Sequence, residues 1–282
     1  MLEFRVATDP GSPDKPNEDA FAILPTLAVV ADGATSPPHL GDGCLHGPAW
    51  YAQTLVGFVA AAHLSRPAAE PADLLAEAIE RTTQAHSSTC DIAHPGSPSA
   101  TVAMLTMSTD GTARWLVLGD CTFVANTGSD LLAVSDDRLS NTSHAERAAV
   151  KEPGAASDPA EYARRIDALV LAQRAHRNHR DGFWVASTDP QAGHQSLTGA
   201  LADGRATGAQ FALLTDGASR IVDLYGVHTW PTTLKVLDST GPGELLRLLR
   251  ETERGDHLAN RFPRVKLRDD ATALVSSWRN DA

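Results

Sequence analysis

Cysteine is scarce in this chain of 282 residues: Cys44, Cys90 and Cys121 are the only three, at spacings of 46 and 31. An odd number at such spacings shows neither a disulfide framework nor a CxxC metal motif. Long apolar runs are missing too. The longest apolar helical stretch, Leu55 to Leu64, is too short to span a bilayer. The opening MLEFRVATDPGSPDKPNEDA has no apolar core after a basic start, so no secretory signal is readable and the cytoplasm is the expected compartment. Positive charge is in deficit, with 24 basic against 35 acidic residues and a formal charge of -11. That balance opposes non-specific binding to nucleic acid or anionic membrane, so neither is an expected partner, but it leaves room for a local basic pocket for phosphate. No GxSxG or other nucleophilic serine or cysteine motif occurs, and Cys121 sits inside a strand pattern. The lone GxG at Gly241–Gly243 is too weak a sign of nucleotide binding.

What remains is the composition of an ordinary globular protein, 42% hydrophobic and 21% charged, with length enough for a sizeable core. LEFRVAT alternates as a strand and gives way to a Pro/Gly loop. AFAIL and LAVVADG form a hairpin whose second strand ends at Asp32-Gly33. From Gly43 to His63 the periodicity predicts a helix, with Tyr51, Leu55, Phe58, Val59 and Ala62 on one face; a second helix follows Pro71, aligning Leu75, Ala78, Ile79 and Thr82. Then ATVAMLTM, ARWLVLGD, CTFVANT and DLLAVS read as a meander, its first two runs apolar on both faces and so covered on both sides. Residues 136–196 are charged and contain a basic helical stretch, ARRIDALVLAQRAHRNHR; they form an excursion from the sheet. LTGALAD, AQFALLTDG, two helices around 231–254 and ATALVSS complete the chain. The order predicts an α+β sandwich of antiparallel sheets rather than a parallel βαβ fold.

Three acidic sites share a setting. VVADG, LLTDG and RDDATALV each put an aspartate beside a strongly apolar strand, and Asp19 of PNEDAFAI stands just before another. A buried sheet keeps charge away from its ends unless something compensates it, and a divalent cation does. Oxygen ligands without His or Cys point to Mg²⁺ or Mn²⁺ rather than Zn²⁺. Any single Asp-Gly after a strand is usually a turn, as expected at Asp110, Asp181 and Asp203. The argument rests on the ordered set.

The succession NED, VADG, LGD, LLTDG and DDAT resembles the metal-dependent protein phosphatases of type 2C, over nearly the whole chain. The resemblance implies a single phosphatase domain over 1–282, a four-layer α-β-β-α sandwich with two central antiparallel sheets, and a variable flap at about 136–196. It implies two divalent cations, Mg²⁺ or Mn²⁺. Asp19 would ligate one, Asp32 would bridge both, the Gly33 carbonyl would bind the other, and Asp216 and Asp269 would complete the second. Asp120 would serve a weaker third site, and Glu18 would accept hydrogen bonds from metal-bound waters. Asp270 falls where the family often has Asn. Two cations about 3.5–4 Å apart can share a water and lower its pKa toward neutrality. The resulting hydroxide would attack phosphorus in line, releasing phosphate from phosphoserine or phosphothreonine of a protein substrate.

Two departures concern the surroundings of the metals. DGATSPPH places Ala34, which cannot donate a proton, where many relatives carry His; His39 lies nearby. PDKPNED offers Lys15 where many relatives carry a phosphate-binding Arg, and Lys supplies a point charge rather than a bidentate fork. The excursion carries Arg164, Arg165, Arg174, Arg177 and Arg180, as a solvated face or a surface for an acidic or phosphorylated partner. His176 and His179 could share a face there, but no third ligand is evident. A phospho-partner binding module without turnover, and a phosphatase for a small phosphorylated metabolite, are the alternative readings.

Overall fold

The computed structural model describes residues 2–34, 37–128, 130–152, 154–202, 204 and 209–278. Its strands are β1 (Leu2–Asp9), β2 (Asp19–Leu24), β3 (Leu27–Gly33), β4 (Ala100–Met107), β5 (Ala113–Leu118), β6 (Thr122–Asn126), β7 (Leu131–Ser135), β8 (Leu197–Leu201), β9 (Gln210–Leu214) and β10 (Ala271–Trp278). They form two five-stranded sheets, β1-β10-β9-β6-β7 and β2-β3-β4-β5-β8. Every neighbouring pair is antiparallel.

The apolar pattern explains the layering. On β3, Val29 and Ala31 enter a cluster with Tyr51, Leu55, Leu75 and Ile79 of α1 (Gly47–Ser65) and α2 (Pro71–His86). The alternate residues Ala28 and Val30 meet Phe123, Phe211, Leu213 and Leu274 of the other sheet. On that sheet's far face Val124, Ala212, Leu214 and Ala273 pack against α6 (Asp216–Asp223), α7 (Trp230–Ser239) and α8 (Pro242–Gly255). Strands apolar at every position are thus covered on both faces. Each Val, Leu or Phe buried there contributes about 1.5–3 kcal/mol. The helix faces read from periodicity are the buried ones, with Phe58 only half-buried: Tyr51, Leu55, Val59 and Ala62 on α1, and Leu75, Ala78, Ile79 and Thr82 on α2.

Three expectations need correction. The four runs from 100 to 135 are not one meander: β5 and β6 lie in different sheets, and the chain crosses between them at Gly119–Cys121. Alternation shows that a strand has two covered faces, not which strand lies beside it, and β5 takes as its neighbour β8, from beyond the excursion. The first helix starts at Gly47 rather than Gly43, with Pro48 in its first turn. The Asp-Gly at 216 opens a helix, α6, that the sequence reading lacked. Asp110 and Asp181 do lie in turns; Asp203 lies outside the described residues.

The 136–196 excursion holds α3 (His144–Lys151), α4 (Pro159–His176) and the short α5 (Gln191–His194). Asp158 caps α4, accepting from the amides of Ala160 and Glu161. Arg164 and Arg165 pair with Glu161 along the helix. Arg174 and Arg177 are structural clamps: Arg174 donates to the Gly41 carbonyl at 2.7 Å, and Arg177 to the carbonyls of Pro95 and Ser97 at 2.7 and 2.9 Å. Among the described residues no helix is long and apolar enough to cross a membrane.

Candidate active site

The hairpin register sets Asp19 directly opposite Asp32, so both carboxylates lie at the same end of one sheet. Asp216 follows β9 and Asp269 precedes β10, adjacent strands of the other sheet. Asp120 sits on the crossing between β5 and β6. The Thr215 hydroxyl ties the sheets together at this end. It donates to Asp19 Oδ2 at 2.8 Å and accepts from the Thr272 amide at 2.9 Å.

Two glycines permit the close approach. A Cβ on Gly33 would lie 2.9 Å from the carbonyl oxygens of both Glu18 and Pro48, and one on Gly217 only 1.9 Å from that of Asp270. Asp270 braces the loop beneath the site: its Oδ1 accepts from the Gly11 amide and its Oδ2 from the Glu18 amide, each at 2.6 Å. The Glu18 carbonyl in turn accepts from the Gly33 amide at 3.0 Å.

The electrostatics are those of crowded anions. Burial, then the charges of Asp19, Asp216 and Asp269, push the Asp32 carboxyl well above the usual range. Burial raises Asp19 to about 7 against the hydrogen bonds of Thr272 and Thr215, and raises Asp120 to about 6. Asp269 is raised by burial and by Asp216. Asp216 is lowered instead: burial opposes ionisation, but Arg220 and Lys266 outweigh it. These two cations were not singled out in the sequence, although Arg220 is one helical turn from Asp216 and Lys266 three residues before Asp269. Lys266 Nζ lies 2.8 Å from Asp269 Oδ1, while Arg220 bridges Asp269 and Asp216.

The residues fit divalent cations on two counts. Oδ1 of Asp19 and Oδ1 of Asp216 are buried without a hydrogen-bond partner, an arrangement that is costly unless something positive meets them. The donors are all hard oxygens, suited to Mg²⁺ or Mn²⁺. Cys121, next to Asp120, is buried, and its sulfur is 3.2 Å from the Thr101 hydroxyl. Asp120 also lines a cavity of ≈ 350 Å³ with Thr122, Arg147, Asp223 and Trp230.

The other sequence candidates lie elsewhere. Lys15 is exposed on the loop before β2, and among the described residues no ion pair joins it to the aspartates. His39 is exposed and pairs with Asp167 of α4 at 2.8 Å. Ala34 is exposed, its amide donating to the Ser99 carbonyl.

Comparison with known proteins bears on the fold and the family. The family described as protein phosphatase 2C matches residues 12–250. A comparison with curated proteins returns no match. Among solved structures, the Mycobacterium tuberculosis serine/threonine phosphatase PstP/Ppp is similar at TM-score 0.56 and 16% identity, covering 99% of both chains. The catalytic domain of PstP in complex with two manganese ions is similar at TM-score 0.54 and 16% identity, covering 98% of this chain and 97% of that one. PppA, described as a regulatory component of T6SS in Pseudomonas aeruginosa, is similar at TM-score 0.55 and 21% identity, again over 98% and 97%. At these identities the structures speak for the fold, and the family match covers most of the chain: it belongs to the protein phosphatase 2C family, the metal-dependent serine/threonine protein phosphatases.

Proposed function

We propose that the five aspartates are this phosphatase's metal centre, with the division of roles that the motifs imply. Asp19 would hold one cation, Asp32 would serve both, the Gly33 carbonyl would face the other, and Asp216 and Asp269 would complete the second. Asp120 would serve a weaker third. The observation that carries the reading is the pair of buried, partnerless Oδ1 atoms on Asp19 and Asp216, one from each sheet.

When bound, the cations neutralise charge on the phosphoryl group and activate a water for in-line attack. The protein's part is placement. Thr215 fixes Asp19, Asp270 fixes the backbone of Glu18, and the Glu18 carboxylate would accept hydrogen bonds from metal-bound waters. Arg220 and Lys266 hold Asp269 and keep Asp216 ionised in the absence of a divalent ion. Ala34 stands where many relatives carry a proton donor, and its methyl group cannot protonate the leaving group.

The substrate reading is a phosphoserine or phosphothreonine protein, recognised beside the aspartates with the 136–196 excursion acting as a flap. Purified protein should hydrolyse an aryl phosphate with Mn²⁺ and stop with EDTA. Asp32→Asn should lower kcat by on the order of 100-fold or more; full activity in that variant would overturn the metal assignment. Phosphopeptides compared with sugar and nucleotide phosphates decide the substrate class, and tight phosphopeptide binding without turnover at any Mn²⁺ concentration marks a binding module instead.

A further inference from the structure

The wide cysteine spacing conceals a second cluster. Cys44, His46, His86 and Cys90 come together where the segment leading into α1 meets the end of α2, with one ligand atom of each residue within 4.8 Å of all the others. Cys44 Sγ lies 3.6 Å from His46 Nδ1 and 3.5 Å from His86 Nδ1, and Cys90 Sγ lies 3.3 Å from His46 Nδ1. The two sulfurs are 3.0 Å apart. In sequence the quartet is C-x-H and H-x₃-C, each half short and the halves joined only by the packing of the two helices.

We propose that Cys44, His46, His86 and Cys90 bind a structural zinc ion.

Zinc bonds of about 2.3 Å to sulfur and about 2.0–2.1 Å to nitrogen give sulfur-to-nitrogen tetrahedral edges of about 3.5 Å. The three sulfur–nitrogen contacts match that edge at 3.6, 3.5 and 3.3 Å. The sulfurs must part by roughly 0.8 Å to reach a sulfur–sulfur edge. Two soft thiolates and two imidazoles in a tetrahedron select zinc over the hard cations suited to the aspartates, so the two centres do not compete for the same metal. Four protein ligands leave no open position, which makes the site structural rather than catalytic.

The surroundings support this. The His46 amide donates to Cys44 Sγ and the Leu45 amide to Cys90 Sγ, each at 3.4 Å; such bonds stabilise thiolates. The His46 ring stacks on Trp50 at 4.2 Å, and His86 is fully buried against Trp50 and Tyr51. The turn after α2 is closed by the Cys90 amide donating to the His86 carbonyl at 3.0 Å, which sets both ligands on one side.

The ion would staple the start of α1 to the end of α2. The same loops carry other contacts: the Asp91 amide donates to the Gly43 carbonyl at 2.8 Å, and Arg174 of α4 to that of Gly41.

The test uses untagged full-length protein, reduced, loaded with Zn²⁺ and dialysed. Metal analysis should find one zinc per chain that survives the brief EDTA treatment removing Mn²⁺. The doubly substituted Cys44→Ser/Cys90→Ser protein should lose it, and Cys121→Ser should keep it. Loading the unsubstituted protein with Co²⁺ should give thiolate-to-cobalt charge-transfer bands and the intense visible bands of a tetrahedral site; this arm does not depend on any variant folding. Four-coordinate thiolate bands with stoichiometric zinc support the proposal. Cobalt spectra of an all-oxygen octahedral site overturn it, as does a Cys44–Cys90 disulfide that forms with zinc present.

Discussion

Arg220 holds Asp269 from the side, its Nη2 only 2.6 Å from Asp269 Oδ2. Lys266 takes the other oxygen, so both oxygens of Asp269 face cations while Asp19 and Asp216 each keep one without a partner. The position assigned to Asp269 is therefore the one a divalent ion must contest. A unit charge about 4 Å away weighs about 4 kcal/mol at an effective dielectric near 20.

Replacing Arg220 with Met removes that competitor. If about a third of the charge term is recovered, the Mn²⁺ concentration for half-maximal hydrolysis falls roughly tenfold. A metal titration of activity reads this directly. A rise in the Mn²⁺ requirement would show that Arg220 positions the ligands instead of opposing the ion.

The metal-free protein should become less stable as pH rises. Asp19 at about 7 and Asp120 at about 6 bind protons more tightly when folded than at their ordinary value of 3.8. Their contribution is complete below that value and is lost as pH rises through 6 and 7. Asp216, shifted downward, adds nothing in this window. Thermal melts in EDTA should show Tm falling from pH 5 to pH 8, and saturating Mn²⁺ should abolish the fall. An EDTA series in which Tm climbs over that range contradicts the crowding of these carboxylates.

Asp270→Ala strands the amides of Gly11 and Glu18, both bonded to the Asp270 carboxylate. The expected loss is about 1–3 kcal/mol in urea unfolding, with a fall in turnover because the strand bearing Asp19 starts from this loop. Unchanged unfolding would place the loop's support elsewhere.

Tyr51→Phe tests how the excursion is anchored. The buried Tyr51 hydroxyl donates to the Ser187 carbonyl at 2.5 Å, joining α1 to the chain as it returns toward β8. Its loss should cost about 1–2 kcal/mol and speed proteolysis within 136–196. Cleavage rates equal to those of the parent protein argue against an anchor there.

The aspartates were legible because each stands beside an apolar strand and two precede glycine, a local pattern. The helix faces of α1 and α2 were legible for the same reason. What stayed hidden depends on partners far apart in the chain. The change of sheet at Gly119–Cys121 is decided by β8 and β9, which come much later. Cys44 meets Cys90 only because α1 and α2 pack together. Asp270 was read only as standing where the family often has Asn, because its two amide partners lie more than 250 residues earlier.

Asp19 and Asp32 ride on one sheet, Asp216 and Asp269 on the other, with stacked aromatics such as Phe123 and Phe211 filling the gap between. The sandwich therefore works as a caliper: the thickness of its filling sets the distance between opposing carboxylates. A smaller or larger side chain at Phe123, remote from any phosphate, changes that gauge, and displacements well under a bond length suffice to misplace reacting groups. Turnover in this protein is in that sense a measurement of how its two sheets are spaced.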